Sequence, residues 1–219
     1  MGEPSFIIFP GLGANKDLDK YHQTIGSKRQ WIEWEDPSGV NSVQEYAQRL
    51  EHQIRRTDDI FYIGISFGGL VCLEMSRILK PRGIFHLGSL QSAKEISTVI
   101  RLFSNFVPSL PSVLFNLSLF PKKLLYYYFG ISHGRHRAEF EEMLQGYAPQ
   151  FVRRLVVLAL RYSSLEKYDI PIIRIHGSRD KIVSNPRGKI DFLVNGGHII
   201  SMSNSSEVNE YIRECAARM

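Results

Sequence analysis

Short apolar runs alternate with amphipathic runs along most of this chain, and this alternation restricts the folds that the chain can adopt. Six runs predict β-strands: Ser5–Phe9, Gln30–Trp34, Ile60–Gly64, Gly83–Leu87, Ile170–His176 and Ile190–Val194. Strands that alternate with helices require crossover connections. We therefore predict an α/β fold, a doubly wound and mainly parallel sheet of about six strands with helices on both faces. At 219 residues the chain fits a single domain, 1–219.

Two of the predicted helices begin with capping patterns. Ser42 is followed three residues later by Glu45, and apolar residues then recur at helical spacing. Near the end of the chain, Asn204 and Glu207 have the same spacing ahead of a helical run. We predict a helix after each pair.

The segment 94–168 departs from the alternation, because it contains no clear strand but several apolar repeats of helical spacing. We predict that it is a helical lid inserted between two strands of the sheet. It holds ten Lys and Arg residues against five Asp and Glu residues, so the net charge of +5 lies in this segment. The rest of the chain is electrically balanced.

Within the lid, residues 102–121 carry no charge and are long enough to test as a membrane span. Pro108, Pro111 and Pro121 argue against a continuous apolar helix. An apolar wall of the lid, or a surface that touches lipid, fits this stretch better than a span.

The third apolar run leads into Gly64-Ile65-Ser66-Phe67-Gly68 and then into a helical pattern. A serine hydroxyl attacks an acyl carbon only if it projects from the sheet, lies near a base and has amide donors beside it. A sharp turn from strand to helix supplies the projection and the donors, and flanking glycines leave room for that turn. Ser66 is therefore a candidate nucleophile. The alternative is an ordinary glycine-rich turn.

Two further polar residues follow predicted strands in an order that suits the same chemistry. Asp180 lies in His-Gly-Ser-Arg-Asp-Lys-Ile-Val, 176–183, and His198 ends Asn-Gly-Gly-His, 195–198. Each alone also fits a loop residue of no function. The order Ser, Asp, His, with each residue after a strand, is the order that a catalytic triad takes on one particular fold.

The motifs GISFGG, HGSRDKIV and NGGH together resemble those of the α/β-hydrolases, and the resemblance covers nearly the whole chain. It implies that Ser66 is the nucleophile, His198 the general base and then acid, and Asp180 the carboxylate that orients the imidazole. It also implies an oxyanion hole made by the backbone N–H groups of Leu12 and Phe67.

Two features depart from the family pattern. Many members have His-Gly at the oxyanion loop, whereas this chain has Pro10 before Gly11. The chain also begins at what resembles the family's third strand, so we expect a trimmed sheet. A nucleotide-binding loop at Gly11-Leu12-Gly13 is excluded, because no third glycine follows and no acidic residue ends a second strand.

The resemblance implies a cofactor-free serine hydrolase that cleaves a carboxylic ester or thioester through an acyl-enzyme. A lyase is an alternative, since the same fold and triad also support non-hydrolytic chemistry. A binding module with a vestigial site is a third. We expect the lid to select a small-molecule substrate with an apolar group, and we predict that Phe115 and Phe120 contact it.

Other partners and sites are not expected. The histidines lack metal-ligand spacing, and His133 with His136 has no partner cysteine. No basic run interleaved with aromatic residues indicates nucleic-acid binding. With only Cys72 and Cys215, and an N-terminus that passes directly into a strand, we expect buried thiols in a cytoplasmic protein without a secretory leader.

Overall fold

The computed structural model describes residues 3–55, 59–103, 106–116, 119–132, 134–163, 168–184 and 186–219. Six strands form one sheet: β1 Ser5–Phe9, β2 Arg29–Trp31, β3 Ile60–Ile65, β4 Gly83–Leu87, β5 Ile172–Gly177 and β6 Phe192–Val194. Their order across the sheet is β2-β1-β3-β4-β5-β6, and every neighbouring pair is parallel. The predicted α/β fold class is confirmed.

The strands are connected by helices and short 3₁₀ turns. The α-helices are α1 Val43–Leu50, α2 Phe67–Ile78, α3 Thr98–Phe103, α4 Lys122–Phe129, α5 Gly134–Gln145, α6 Pro149–Arg161, α7 Ile200–Ser203 and α8 Ser205–Arg218. The 3₁₀ turns are Lys16–His22, Glu51–Gln53, Ala93–Glu95, Val107–Ser109 and Ser112–Phe115. Helices α3 to α6 lie between β4 and β5, where the sequence predicts a helical insertion.

The two faces of the sheet are covered by different helices, because successive side chains of a strand point to opposite faces. Ile7 and Tyr62 pack on the face covered by α1, α2 and α6. Ile8 and Ile63 pack on the other face, against α8. Both layers are buried, so the sheet is a rigid central support for the loops at its ends.

The two predicted helix starts differ in their caps. The Ser42 hydroxyl accepts a hydrogen bond from the Glu45 N–H at 3.1 Å, as the pattern predicts, and the Glu45 carboxylate accepts one from the Asn41 N–H at 2.9 Å. At α8, by contrast, the Asn204 side chain does not cap the helix. Its Oδ1 instead accepts a hydrogen bond from the Ser203 hydroxyl at 2.7 Å, because α7 ends immediately before it.

Parallel strands end at the same edge of the sheet, so the loops after β1, β3, β5 and β6 come together there. These loops carry Leu12, Ser66, Asp180 and His198, respectively. The helical insertion leaves the sheet after β4 at this same edge. Within the described residues, none of the helices has the length and apolar character needed to cross a membrane.

Candidate active site

Ser66 occupies the tight turn between β3 and α2. Its backbone has φ 50° and ψ −118°, and no other non-glycine residue in the described part of the chain has a positive φ. This strained conformation is held by hydrogen bonds at both ends of the residue. The Ser66 N–H donates to the Leu87 carbonyl at 3.0 Å, and the Ser89 hydroxyl donates to the Ser66 carbonyl at 2.6 Å.

The glycines on either side of Ser66 are required by close backbone approach. A Cβ atom at Gly64 would lie 2.5 Å from the Gly69 Cα, and one at Gly68 would lie 2.0 Å from the Phe9 carbonyl oxygen. Both distances are much shorter than a van der Waals contact, so no side chain fits at either position. The Gly-x-Ser-x-Gly spacing therefore lets α2 start against β1 and β3 and leaves the Ser66 hydroxyl at the end of the sheet.

The structure brings the three predicted triad residues together in one hydrogen-bonded chain. Ser66 Oγ lies 2.8 Å from His198 Nε2, and His198 Nδ1 lies 2.8 Å from Asp180 Oδ2. The carboxylate can only accept, so Nδ1–H donates to Asp180 and Nε2 is the acceptor for the serine hydroxyl. A hydroxyl in this arrangement can pass its proton to the imidazole as it attacks.

Asp180 is held in place by its own loop. Its Oδ1 accepts hydrogen bonds from the N–H groups of Ile182 at 2.8 Å and Val183 at 2.9 Å. Burial alone would raise the pKa of this carboxyl, but the interaction with His198 and the hydrogen bond from Val183 outweigh burial and keep the pKa below its ordinary value. Asp180 is thus an anion at neutral pH, with one oxygen committed to the loop and one to the imidazole.

A second histidine, His176, also lies beside Asp180, although the sequence predicts no role for it. Its Nε2–H donates to the Val183 carbonyl at 2.9 Å and lies 3.5 Å from Asp180 Oδ2. Burial lowers the pKa of His176, so the ring is neutral at neutral pH. The sequence feature that could have identified His176 is its position four residues before Asp180, at the end of β5.

The two predicted oxyanion donors border the same site. Leu12 and Phe67 both line the cavity that contains Ser66 and His198. Among the described residues, neither backbone N–H donates to another backbone group; that of Phe67 lies in the first turn of α2, where N–H groups have no partner within the helix. The loop of Leu12 is fixed because the Gly11 carbonyl accepts from the Ala14 N–H at 3.1 Å and the Trp34 indole at 3.1 Å. A Cβ atom at Gly11 would lie 3.6 Å from the Ser66 Cβ, so the loop that follows Pro10 lies against Ser66.

The cavity has a volume of about 260 Å³ and an almost wholly apolar lining. One side is formed by the insertion, including Phe115, Val152 and Val156, and the other by residues around Ser66. Phe115 thus lies on the cavity wall, and its contact with a substrate stays a prediction. Phe120 is not among the lining residues, and 41 % of its surface is exposed.

Helix α4 of the insertion contacts the loop of His198 directly. The Phe129 carbonyl accepts a hydrogen bond from the His198 N–H at 3.1 Å, and the two rings meet edge to face at 5.7 Å. Gly130 then ends α4 in the left-handed conformation, packed against Gly197. These contacts join residues far apart in the sequence, so no local pattern marks them.

Within the described residues, no group of three or more metal-binding side chains comes together. His133 lies outside them, and His136 contacts the ring of Tyr21. Cys72 and Cys215 are both buried and unpaired.

No protein-family model and no curated protein matches this chain, but solved structures do. A lipase-esterase related protein from Clostridium acetobutylicum is 14 % identical with a TM-score of 0.73, and the match covers 96 % of this chain and 93 % of that one. A hydrolase from Oleispira antarctica is 13 % identical with a TM-score of 0.74, covering 100 % and 93 %. The RedJ thioesterase of Streptomyces coelicolor is 14 % identical with a TM-score of 0.62, covering 100 % and 90 %. Together with the parallel sheet and the strand-to-helix turn at Ser66, these similarities show that the chain has the α/β-hydrolase fold.

Proposed function

We propose that this protein is a serine hydrolase that cleaves a carboxylic ester or thioester through an acyl-enzyme intermediate. The observation that carries the proposal is the hydrogen-bonded chain from Ser66 through His198 to Asp180, with 2.8 Å at each link. A serine hydroxyl at its ordinary pKa is a weak nucleophile, and an adjacent base held by a carboxylate is what activates it.

In the acylation step, Ser66 Oγ attacks the carbonyl carbon while His198 Nε2 takes the hydroxyl proton. The negative charge that forms on the carbonyl oxygen is stabilised by the N–H groups of Leu12 and Phe67. The bond between the carbonyl carbon and the leaving oxygen or sulfur then breaks, and His198 gives its proton to the leaving group. Asp180 remains ionised and stabilises the imidazolium.

Deacylation repeats these steps with water as the nucleophile. His198 Nε2 takes a proton from the water as its oxygen attacks the acyl carbon, and the same N–H groups stabilise the second oxyanion. The ester bond to Ser66 breaks, the proton returns from His198 to Ser66 Oγ, and the carboxylic acid leaves. No cofactor takes part in either step.

The cavity supports a substrate with an apolar acyl or alcohol group. Its wall is made almost entirely of aliphatic and aromatic side chains, so a polar group bound there would lose hydrogen bonds to water without replacement. The similar structures include proteins described as esterase, lipase and thioesterase, and this range favours acyl transfer from either oxygen or sulfur.

A fluorophosphonate tests the proposal directly, because it forms a stable bond from phosphorus to an activated serine and releases fluoride. We expect the intact mass to increase by one phosphonyl group, and peptide mapping to place it on Ser66. Ser66→Ala abolishes both labelling and turnover of acyl esters. Ser206→Ala, an exposed serine on α8, leaves both unchanged.

Three results would contradict the proposal. Labelling of another serine would remove Ser66 as the nucleophile. A folded protein that takes no label would point to a vestigial site, and labelling without hydrolysis of any ester or thioester would favour the non-hydrolytic alternative.

A further inference from the structure

The exposed apolar side chains of this protein are concentrated in one stretch of the chain. Of the ten large apolar side chains that are exposed among the described residues, nine lie in the insertion between Val99 and Tyr127. Six of these are more than half exposed: Val99, Leu102, Phe106, Val113, Leu119 and Tyr127. We call these nine side chains the apolar surface. Single exposed apolar residues are ordinary, but nine of them within one insertion favour a surface that binds a partner.

The apolar side chains project from several kinds of local structure. Val99 and Leu102 lie on α3, Val113 on the 3₁₀ turn Ser112–Phe115, and Tyr127 on α4. The apolar surface is therefore spread over several short elements and does not follow one helix face. Fluid acyl chains adapt to any such outline, which favours a lipid surface over a protein.

The charge of the same region supports an anionic lipid. Residues 96–138 contain five Lys and Arg residues and no Asp or Glu. Lys123 on α4 is exposed and has no ion-pair partner in the described part of the chain. Two of the other cations are paired, Lys122 with Glu141 and Arg135 with Glu139, whereas Lys123 is available to lipid headgroups beside the apolar side chains.

Tyr127 adds a side chain suited to a membrane interface. Its ring is 60 % exposed, and the Lys181 ammonium lies 3.0 Å from the ring centroid. A tyrosine next to a cation can lie at the level of the lipid headgroups, with its hydroxyl among the headgroups and its ring toward the acyl chains.

The apolar surface also borders the cavity that contains Ser66. Phe115 lines the cavity, and its neighbours Val113 and Leu114 in the same 3₁₀ turn are exposed. One face of this turn therefore belongs to the cavity wall and the other to the apolar surface. A lipid bilayer in contact with that surface would lie next to the cavity wall.

We propose that the apolar surface docks this protein on an anionic phospholipid bilayer, with its nine exposed side chains in the interface and Lys123 against the headgroups. The protein lies on the bilayer and does not span it. This docking goes beyond the proposed hydrolase activity, since it depends on the outer face of the insertion and not on the triad.

Binding is measured by sedimentation with sucrose-loaded vesicles, using the full chain with Ser66→Ala so that turnover plays no part. We expect binding to vesicles of phosphatidylcholine with about 30 % phosphatidylserine, and much weaker binding to phosphatidylcholine alone. Binding to the anionic vesicles falls as salt rises, because the cations are screened.

Variants separate the apolar contribution from the charge. Leu102→Asn and Leu119→Asn should each weaken vesicle binding at least about tenfold, since each loses the burial of one leucine. Leu193→Asn is the matched control, because Leu193 is 60 % exposed but lies on the edge strand β6, outside the apolar surface. Lys123→Glu should weaken binding more than about fivefold, whereas Lys80→Glu, at an exposed position just beyond the C-terminal end of α2, should leave it unchanged.

Several outcomes overturn the docking proposal. Failure of the folded chain to bind anionic vesicles does so, and so does equal loss of binding in the Leu193→Asn control. Self-association that disappears in Leu102→Asn, without vesicle binding, would assign the surface to a second copy of this chain. None of these outcomes affects fluorophosphonate labelling of Ser66, so the hydrolase proposal and the docking proposal fail separately.

Discussion

The His198 imidazole is held by three different parts of the fold. Asp180 accepts from its Nδ1, Ser66 lies at its Nε2, and the Phe129 carbonyl accepts from its backbone N–H. Two of these contacts fix which ring nitrogen carries the proton. The ring is therefore ready to accept the serine proton without first turning or changing tautomer, which removes reorganisation from the reaction step.

Asp180→Asn tests the importance of this tautomer. The asparagine Oδ1 would keep the bonds from Ile182 and Val183, so its NH₂ group would face His198 Nδ1. The ring would then carry its proton on Nε2 and could not accept from Ser66. We expect kcat to fall about 10⁴-fold, as in the best-studied triad, with little change in KM.

The matched control for this prediction is Asp169→Asn, an exposed aspartate in the loop before β5. It should leave kcat and the unfolding transition unchanged. A folded Asp180→Asn protein with turnover near that of the wild type would remove Asp180 from the triad.

The positions of Ser66, Asp180 and His198 could be predicted because each follows a strand. In a parallel sheet, the ends of strands far apart in the sequence meet at one edge, so local patterns carry information about contact. Phe129 could not be predicted in the same way. It lies at the end of a helix within the insertion, and nothing in the sequence states which loop that helix contacts.

The bounds of some strands could also be predicted from the sequence, whereas those of others could not. β1 and β4 begin and end where the apolar pattern predicts, since both are buried between neighbouring strands. The edge strand β2 is shorter than the predicted Gln30–Trp34 and ends at Trp31. Trp34 leaves the strand because its indole N–H donates to the Gly11 carbonyl and its ring packs on Phe67. A tertiary contact thus shortens the strand, and periodicity alone does not reveal it.

Helix α4 and the His198 loop are expected to move as one unit, because Gly130 and Gly197 are packed backbone to backbone. A Cβ at Gly130 would lie 2.5 Å from the Gly197 Cα, and Gly130 has φ 72°. Gly130→Ala should displace the loop and slow both fluorophosphonate labelling and turnover at least about tenfold, since small misplacements of a catalytic group are costly.

Gly188→Ala provides the control for this substitution. Gly188 has a similar φ of 79°, but a Cβ there meets nothing within 4 Å. Backbone strain should lower the free energy of unfolding of both variants by about 1 kcal/mol. If Gly188→Ala slows labelling as much as Gly130→Ala, the effect is loss of stability and not displacement of His198.

The 3₁₀ turn Ser112–Phe115 sets one wall of the cavity, so its aromatic residue is expected to influence which acyl chains bind. Phe115→Ala enlarges the cavity, and we expect the preferred chain in a homologous ester series to become longer, with kcat/KM changing by about fourfold per methylene accommodated. Phe120→Ala is the control, because Phe120 does not line the cavity. A profile of unchanged shape in Phe115→Ala, with reduced stability, would make Phe115 a packing residue only.

The stability of the folded chain should depend on pH through its buried histidines, above all His22 and His86. His22 and His86 are each 1 % exposed, and burial lowers the pKa of each to about 4. The His86 Nε2–H donates to the Gly69 carbonyl at 2.9 Å, and among the described residues the Nδ1 atom of each histidine has no hydrogen-bond partner. Both rings are therefore neutral in the folded chain near pH 5, whereas in the unfolded chain they become charged as pH falls below about 6.5.

The unfolded state consequently binds more protons than the folded state between about pH 6.5 and 4, so the free energy of unfolding falls as pH decreases through this range. Each histidine should account for about 2 kcal/mol between pH 7 and pH 5. The carboxylates contribute little there, because they titrate near pH 4 in the unfolded chain.

Urea unfolding at pH 7 and pH 5 measures this difference in the free energy of unfolding. His86→Gln keeps a donor for the Gly69 carbonyl and removes the titrating ring, so the loss between the two pH values should shrink by about 2 kcal/mol. An unchanged loss in that variant would show that His86 is not the group whose protonation destabilises the fold.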